Sequence, residues 1–188
     1  FGQVAEVERV PLSNAIKDDA DYSDPVAGIE YDGRCNLRLR VPGTGGGKTL
    51  LFNTHLDVVP ASEGQERPFD PEPVDGVVRG RGACDAKGQV TTIWALLATL
   101  QREGVRLAGD LVVHLVVEEE VGGNGTLRMA RIGEQADGCI VMEPTDLRVL
   151  TSVRGAVWFR VKLTGRPGHS GSAGVTISAL KMAVKVMD

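Results

Sequence analysis

Residues 110–120 read DLVVHLVVEEE, an unbroken apolar run that ends in three consecutive acids. A run of this length, rich in β-branched residues, indicates a strand that is buried on both of its faces. Strands of that kind occur in sheets that helices cover on both sides. The stretch therefore predicts the centre of an α/β domain, with the acids at the carboxyl end of the strand.

Two further apolar runs end in polar residues. Residues 49–54 (TLLFNT) precede His55 and Asp57, and residues 138–142 (GCIVM) precede Glu143. In open α/β sheets, ligands bind outside the carboxyl ends of the strands. We therefore expect the polar residues at these ends to converge on one edge of the sheet. The candidate set is His55, Asp57, Asp85, Glu119, Glu120 and Glu143.

Helical patterns separate these strands. From residue 90 to 102 the apolar positions fall on one face of a helix, and Gly104 ends it. Asp85 lies in the Gly-rich loop that opens this helix, and a second helix is expected from about residue 126 to 132. The predicted fold class is therefore α/β, with a mixed, mostly parallel sheet and helices on both faces.

The N-terminal part of the chain is less regular. Residues 1–30 are polar and poorly periodic, and within them residues 14–24, with four Asp and one Lys, predict a surface loop. Residues 29–41 alternate weakly, which predicts an edge strand.

The pattern changes after residue 150. Residues 155–163 alternate like a strand with one exposed face, and residues 176–187 have helical periodicity. Because a lone strand and helix cannot form a stable domain, we expect a first domain over residues 1–152. The incomplete beginning of a second domain would occupy residues 153–188.

Composition narrows the classes of function. The chain has 188 residues and a net charge of −4, which argues against a nucleic-acid-binding protein. No apolar run is long enough for a membrane-spanning helix, so no membrane partner is expected. The three cysteines, Cys35, Cys84 and Cys139, are odd in number and widely spaced, which favours a reducing cytoplasm over a disulfide framework.

The acids expected at the sheet edge need a positive partner. Clustered carboxylates repel one another, and burial makes each charge more costly. Lys87 would supply one positive charge, which is too few for five or six acids, whereas a divalent metal ion would suffice. One neutral His with several carboxylates suits zinc, and also manganese or cobalt. A carboxylate shared by two ions would give a two-metal site.

Four motifs in this order resemble those of the M20 metallopeptidase family. They are HLDVVP at residues 55–60, GRGACDAKG at 80–88, EEEVGGNGT at 118–126 and EPT at 143–145. The family includes acetylornithine deacetylase, succinyl-diaminopimelate desuccinylase, aminoacylase and glutamate carboxypeptidase. The resemblance covers about residues 29–188, and it implies a zinc-exopeptidase-like catalytic domain followed by the start of an α+β lid and dimerisation domain.

The resemblance implies a metal-binding role for four residues. His55 and Glu143 would bind one ion, Glu120 would bind a second, and Asp85 would bridge the two. The expected cofactor is one or two zinc ions, with cobalt or manganese as alternatives.

Two more residues would take part in the chemistry. Glu119 would be the general base for the attacking water, and Asp57 would orient His55. The peptide bond after the bridging Asp85 is often cis in the family. Glu118 stands where the family usually has Asp.

The resemblance also assigns residues after 150. His169 matches a His that, in dimeric members, reaches into the partner's site and stabilises the oxyanion. Arg154 is a candidate to meet a substrate carboxylate. The family's second metal-binding His would lie beyond residue 188, so we expect this chain to be part of a longer, dimeric enzyme.

The expected function is a cytoplasmic metal-dependent hydrolase. It would cleave the amide bond of an N-acyl amino acid or a short peptide with a metal-activated water. Two alternatives stay open at this point. One is a catalytically incomplete binding or scaffold protein of similar sequence, and the other is a different two-metal hydrolase, such as a phosphoesterase.

Overall fold

Residues 1–24, 26–155, 159–169, 171 and 177–187 are described by a computed structural model. The chain divides into two units, Phe1–Arg148 and Val149–Asp188. The boundary expected from the sequence, after residue 152, stays a prediction.

A five-stranded sheet forms the centre of the first unit. Its strands are β1 (Glu6–Pro11), β2 (Cys35–Val41), β3 (Leu50–His55), β6 (Leu111–Val116) and β7 (Gly138–Val141). A separate hairpin pairs β4 (Pro73–Val74) with β5 (Val77–Val78).

The strand order across the sheet is β1-β2-β6-β3-β7. Strand β3 pairs in parallel with β6 and with β7, whereas β2 is antiparallel to both β6 and β1. Four of the five strands therefore run in one direction, and the predicted mixed, mostly parallel sheet is confirmed. In this register Val113 of β6 lies beside Phe52 of β3 and Leu39 of β2.

Helix α1 (Lys87–Arg102) covers one face of the sheet. Its buried residues Ile93 and Leu97 pack into one cluster with alternate residues of the strands. Those strand residues are Leu39, Leu111, Val113 and Leu115. The four-residue spacing of Ile93 and Leu97 puts both side chains on the face that meets the sheet.

Helix α2 (Asn124–Arg131) covers the opposite face, where Met129 packs against Val10 and Val116. The prediction of helices on both faces is therefore confirmed. The same face carries Arg38, which is ion-paired with Glu134 just beyond α2. His114, which is buried, lies 3.5 Å from the same carboxylate.

The N-terminal segment differs from its prediction. Strand β1 lies in the polar, poorly periodic stretch, where no strand is predicted, and it pairs along its whole length with β2. The weak alternation of residues 29–41 therefore belongs to an internal strand, and the prediction of an edge strand was wrong. In β1, Glu8 and Arg9 separate the two valines, Val7 and Val10, so no period-2 pattern forms, and only Val10 is buried.

The opposite edge of the sheet is β7, whose four residues are all exposed.

A 3-10 helix, Asn14–Asp18, follows β1 in the chain. It places Ile16 in a small cluster with Leu12 and the fully buried Tyr31.

In the second unit, helix α3 (Ala179–Met187) follows an antiparallel bridge between Arg166 and Ile177. The helix predicted from residue 176 thus begins at Ala179, and residue 176 itself lies outside the described residues. The strand predicted for residues 155–163 includes 156–158, which also lie outside them, and its described positions form no strand. Within the described parts of the chain, no helix combines the length and apolarity needed to cross a membrane.

Glu134→Gln is expected to destabilise the fold in a pH-dependent way. The Arg38 guanidinium lowers the pKa of Glu134 below its usual 4.5, so the folded chain binds this proton less readily than the unfolded chain. The stabilisation is therefore complete above pH 4.5 and is lost as the pH falls through the lowered pKa. Losing the charged acceptor should cost about 1–2 kcal/mol at pH 8 and less at pH 3.5, measured by urea unfolding.

The matched control is Glu103→Gln, whose carboxylate pairs with Arg102 at an exposed helix end. That change should cost less than about 0.5 kcal/mol at either pH. An equal loss for Glu134→Gln at both pH values would contradict the assignment.

Candidate metal centre

His55 is the last residue of β3, and its ring is the buried centre of the site, 1% exposed. Its Nε2 atom lies 2.8 Å from Asp85 Oδ1, 3.8 Å from Glu143 Oε2 and 3.9 Å from Glu119 Oε2. Glu119 follows β6, Glu143 follows β7, and Asp85 lies in the loop just before α1. The convergence expected at the carboxyl ends of the strands is therefore present in the structure.

Asp85 is held by the loop that leads into α1. Gly82 has a φ of +82°, and a Cβ there would lie 2.5 Å from Val58 Cγ1, so only glycine allows the two loops to meet. The Lys87 backbone N–H donates to the Gly82 carbonyl at 3.0 Å. The Asp85–Ala86 peptide bond is cis, as the resemblance implied.

The Lys87 ammonium fastens this loop to the His55 loop. Its Nζ donates to the Leu56 carbonyl at 2.7 Å. Among the ion pairs of the described residues, none joins Lys87 to a carboxylate. Lys87 therefore braces the backbone between His55 and Asp57, and the negative charge of the cluster is left without an ion-paired lysine.

Asp57 connects His55 to the acidic loop, which is the turn that carries Glu118, Glu119 and Glu120. The His55 Nδ1 atom lies 3.1 Å from the Asp57 carbonyl oxygen and 3.4 Å from its Oδ1. The two carboxylate oxygens accept the backbone N–H groups of Glu119, at 3.1 Å, and Glu120, at 3.2 Å. Asp57 thus fixes the position of both acids through their backbone.

Glu119 and Glu120 lie in a turn that begins at Glu118, which has a left-handed φ of +67°. The Asn36 side chain spans this loop: its Oδ1 accepts from Val117 N at 3.0 Å, and its Nδ2 donates to the Gly125 carbonyl at 2.8 Å. A Cβ on Gly125 would lie 1.9 Å from the Val117 carbonyl oxygen, so glycine is required there.

Asn36 and Asn124 are the site-supporting residues that the sequence analysis missed. Asn36 contacts backbone groups 81 and 89 residues away, and no periodic pattern connects such positions. The sequence offered one local sign of a special role for Asn36. It is the uncharged member of a set of alternate residues in β2 whose other members are Arg38 and Arg40.

The cluster is electrostatically crowded. Burial lowers the pKa of His55, but the hydrogen bond to Asp85 and the nearby carboxylates outweigh it, so the pKa lies above its usual value. Burial raises the pKa of Glu119 and Glu143, and neighbouring carboxylates raise it further, while His55 opposes the rise.

Two sets of side chains have atoms close enough to hold a metal ion. One set is His55, Glu119 and Glu143, and the other is His55, Asp85 and Glu120, with ligand atoms that lie within 4.8 Å of one another. One imidazole and several carboxylates match the ligand preferences of zinc, and a divalent ion would offset the repulsion that raises the carboxyl pKa values. The residues present therefore fit a metal centre.

Two predicted site residues belong to the second unit, which is described by itself. His169 accepts a hydrogen bond at Nδ1 from Gly171 N, at 3.1 Å, and Arg154 is exposed. Their roles stay predictions.

A cavity of about 320 Å³ borders the cluster in the first unit. Asp57 and Glu120 form part of its wall, and Arg34 is the only cation among its lining residues. The remaining wall is mostly apolar and includes Leu56, Val58, Val59 and Val121. It offers space beside the metal-binding atoms.

The sequence profile of peptidase family M20/M25/M40 matches residues 51–186, which is well over half of the chain. The chain belongs to this family. Its membership removes the alternative of an unrelated two-metal hydrolase. It also accounts for the ordered motifs that carry His55, Asp85, Glu119 and Glu143.

Curated relatives of this M20/M25/M40 member differ in their substrates. The chain is 37% identical over 152 residues to succinyl-diaminopimelate desuccinylase from Methylobacterium radiotolerans, covering 74% of this chain and 38% of that protein. It is 31% identical over 150 residues to N-formyl-4-amino-5-aminomethyl-2-methylpyrimidine deformylase from Bacillus subtilis. This match covers 76% of this chain and 34% of the deformylase. The chain thus spans between a third and two fifths of the length of these relatives.

Solved structures share the fold. A tripeptidase from Staphylococcus aureus superposes with a TM-score of 0.61 at 15% identity, covering 97% of this chain and 46% of that one. Human carnosine dipeptidase 1 superposes with a TM-score of 0.56 at 22% identity, covering 74% and 29%.

Asp57→Asn is expected to loosen the acidic loop. An amide offers one acceptor oxygen where the carboxylate offers two, so one of the two backbone hydrogen bonds is lost. We expect a destabilisation of about 1–3 kcal/mol in urea unfolding and faster hydrogen–deuterium exchange at Glu119 and Glu120. Asp70→Asn, in an exposed ion pair with Arg67, is the control. Unchanged exchange at both acids would contradict the role given to Asp57.

Proposed function

We propose that the first unit is the metal-binding catalytic part of a hydrolase that cleaves the amide bond of an N-acyl amino acid or a short peptide. The observation that carries the proposal is the gathering of acids around the buried His55 at the carboxyl edge of the sheet. Relatives named as a desuccinylase and a deformylase support an acyl group on nitrogen as the target.

The proposed ligands are the four residues that the family resemblance implied. His55 and Glu143 would hold one ion, Glu120 would hold a second, and Asp85 would be shared between them. All four occur in the two sets of neighbouring ligand atoms around His55. We propose zinc, in one or two equivalents, and the same donor set accepts cobalt or manganese.

Asp57 and Glu119 have the two remaining roles. A bound zinc ion supplies Lewis acidity, which polarises the scissile carbonyl and acidifies water. Glu119, with 47% of its side chain exposed beside His55, is the base that takes the proton of the attacking water and delivers it to the leaving nitrogen. Asp57 holds the His55 ring in orientation through the contacts at Nδ1.

The second unit is proposed to begin a lid and dimerisation domain. There His169 would stabilise the oxyanion in the partner's site of a homodimer, and Arg154 would meet a substrate carboxylate. A cytoplasmic location is proposed with these roles.

Metal content tests the ligand set. The purified chain should hold one or two equivalents of zinc by mass spectrometry, and His55→Ala and Glu143→Ala should each lose most of it. Glu72→Ala removes an exposed acid that pairs with Arg67 and should keep the wild-type content. Equal zinc in all four proteins would contradict the assigned ligands. Absence of zinc from the wild type would favour the binding-protein alternative.

Glu119→Gln tests the general base. The variant should keep its zinc, because the four proposed ligands are unchanged and glutamine keeps one acceptor oxygen at the position that lies beside His55 and Glu143. It should hydrolyse N-succinyl and N-formyl amides about 10²–10⁴-fold more slowly than the wild type, since the amide cannot take the proton. A variant that retains both zinc and full hydrolysis would show that another group is the base.

A further inference from the structure

Glu118 is a buried acid directly before the two acids of the metal centre. Its side chain belongs to a residue that is 4% exposed, whereas the side chain of Glu119 is 47% exposed. Successive residues of a regular strand would place Glu118 and Glu120 on the same face. These residues do not continue the strand, because the left-handed φ of +67° at Glu118 turns the chain there. In this turn Glu118 is buried and Glu119 is open to solvent.

The inward side chain of Glu118 meets a buried amide. Asn124 Nδ2 donates to Glu118 Oε1 at 2.9 Å and also lies 2.8 Å from the Ser23 carbonyl and 3.1 Å from the Tyr31 hydroxyl. Asn124 Oδ1 accepts from Ser23 N at 3.0 Å. Asn124 is the first residue of α2, so this contact fastens the acidic turn to the helix and to the N-terminal segment at once.

The backbone of Glu118 closes the same turn. Its carbonyl accepts from Gly123 N at 2.6 Å and from Gly122 N at 3.3 Å. The side chain and the carbonyl of one residue therefore anchor both ends of the segment that carries Glu119 and Glu120. Two further restraints act on this segment: Asp57 accepts from the backbone of Glu119 and Glu120, and Asn36 bridges Val117 and Gly125.

We propose that Glu118 is a positioning residue for the metal centre: through Asn124 it fixes the turn that directs Glu119 and Glu120 toward His55. The proposal rests on the proposed function in so far as its main readout is zinc affinity. Groups that orient metal ligands from behind typically change affinity by about 10–100-fold when they are removed.

The positioning role of Glu118 depends on the length of its side chain and on the acceptor oxygen that it offers to Asn124. Oε1 accepts from Asn124, whereas Oε2 is buried and has no hydrogen-bond partner among the described residues. A glutamine has the same length and keeps one acceptor oxygen, so it preserves the contact to Asn124. An alanine removes the acceptor, so the turn then depends on its backbone contacts and on the side chains of Asp57 and Asn36.

The test compares Glu118→Ala, Glu118→Gln and a control, Met129→Ala. Met129 is 1% exposed on α2 and packs against Val10 and Val116, away from the acids, so its truncation destabilises the same helix without touching the turn. Zinc affinity is measured by chelator competition, global stability by thermal unfolding, and loop order by hydrogen–deuterium exchange at the amides of Glu119 and Glu120.

Glu118→Ala should bind zinc about 10–100-fold more weakly and exchange faster at both amides. Glu118→Gln should stay within about threefold of the wild type, and so should Met129→Ala, although the latter unfolds at a lower temperature. The proposal is overturned if Glu118→Ala binds zinc like the wild type, if Met129→Ala weakens binding as much, or if Glu118→Gln behaves like the alanine variant.

A wild-type chain that binds no zinc would contradict the proposed function, but it would leave this inference open to test by hydrogen–deuterium exchange. The exchange rates then decide alone. Faster exchange at Glu119 and Glu120 in Glu118→Ala than in Met129→Ala supports the positioning role, and equal rates overturn it.

Discussion

The burial of β6 on both faces is the constraint on which the first unit depends. All six of its residues are buried, so each face has to be covered, and α1 and α2 do this from opposite sides. The helices that follow the strands return the chain for parallel pairing, which brings the carboxyl ends of β3, β6 and β7 to one edge. The acids that follow these strands are therefore brought together by the parallel pairing in the buried sheet.

Several carboxylates held close together repel one another, and hydrogen bonds to backbone and amide groups keep them in position. Asp57 accepts two backbone N–H groups, Asn36 and Asn124 tie the acidic loop in place, and Lys87 binds a carbonyl. Within the described residues, no arginine or lysine is ion-paired with the acids around His55. The supports fix the positions of the charges without neutralising them, which is what a site for a divalent cation requires.

Hydrophobic pattern was enough to predict the central elements and the convergence of His55, Asp85, Glu119 and Glu143. Strand β1 escaped prediction because its two valines, Val7 and Val10, are three residues apart and lack the period of two typical of a strand, and only Val10 is buried. The weak alternation of residues 29–41 suggested an edge strand, but β1 covers β2 on that side. The supporting amides escaped for a different reason. Asn124 contacts residues 93 and 101 positions away, and such distant polar pairing depends on the finished fold.

Strand β7 has an implication for how the protein is handled. It is the last strand of the sheet, and its residues are all exposed, with Ile140 at 48% and Val141 at 63%. Open backbone donors and acceptors beside apolar side chains are a template for strand addition between molecules. The colloidal behaviour of the chain therefore depends on what covers this strand, and charged substitutions along β7 are the natural means of keeping concentrated samples dispersed.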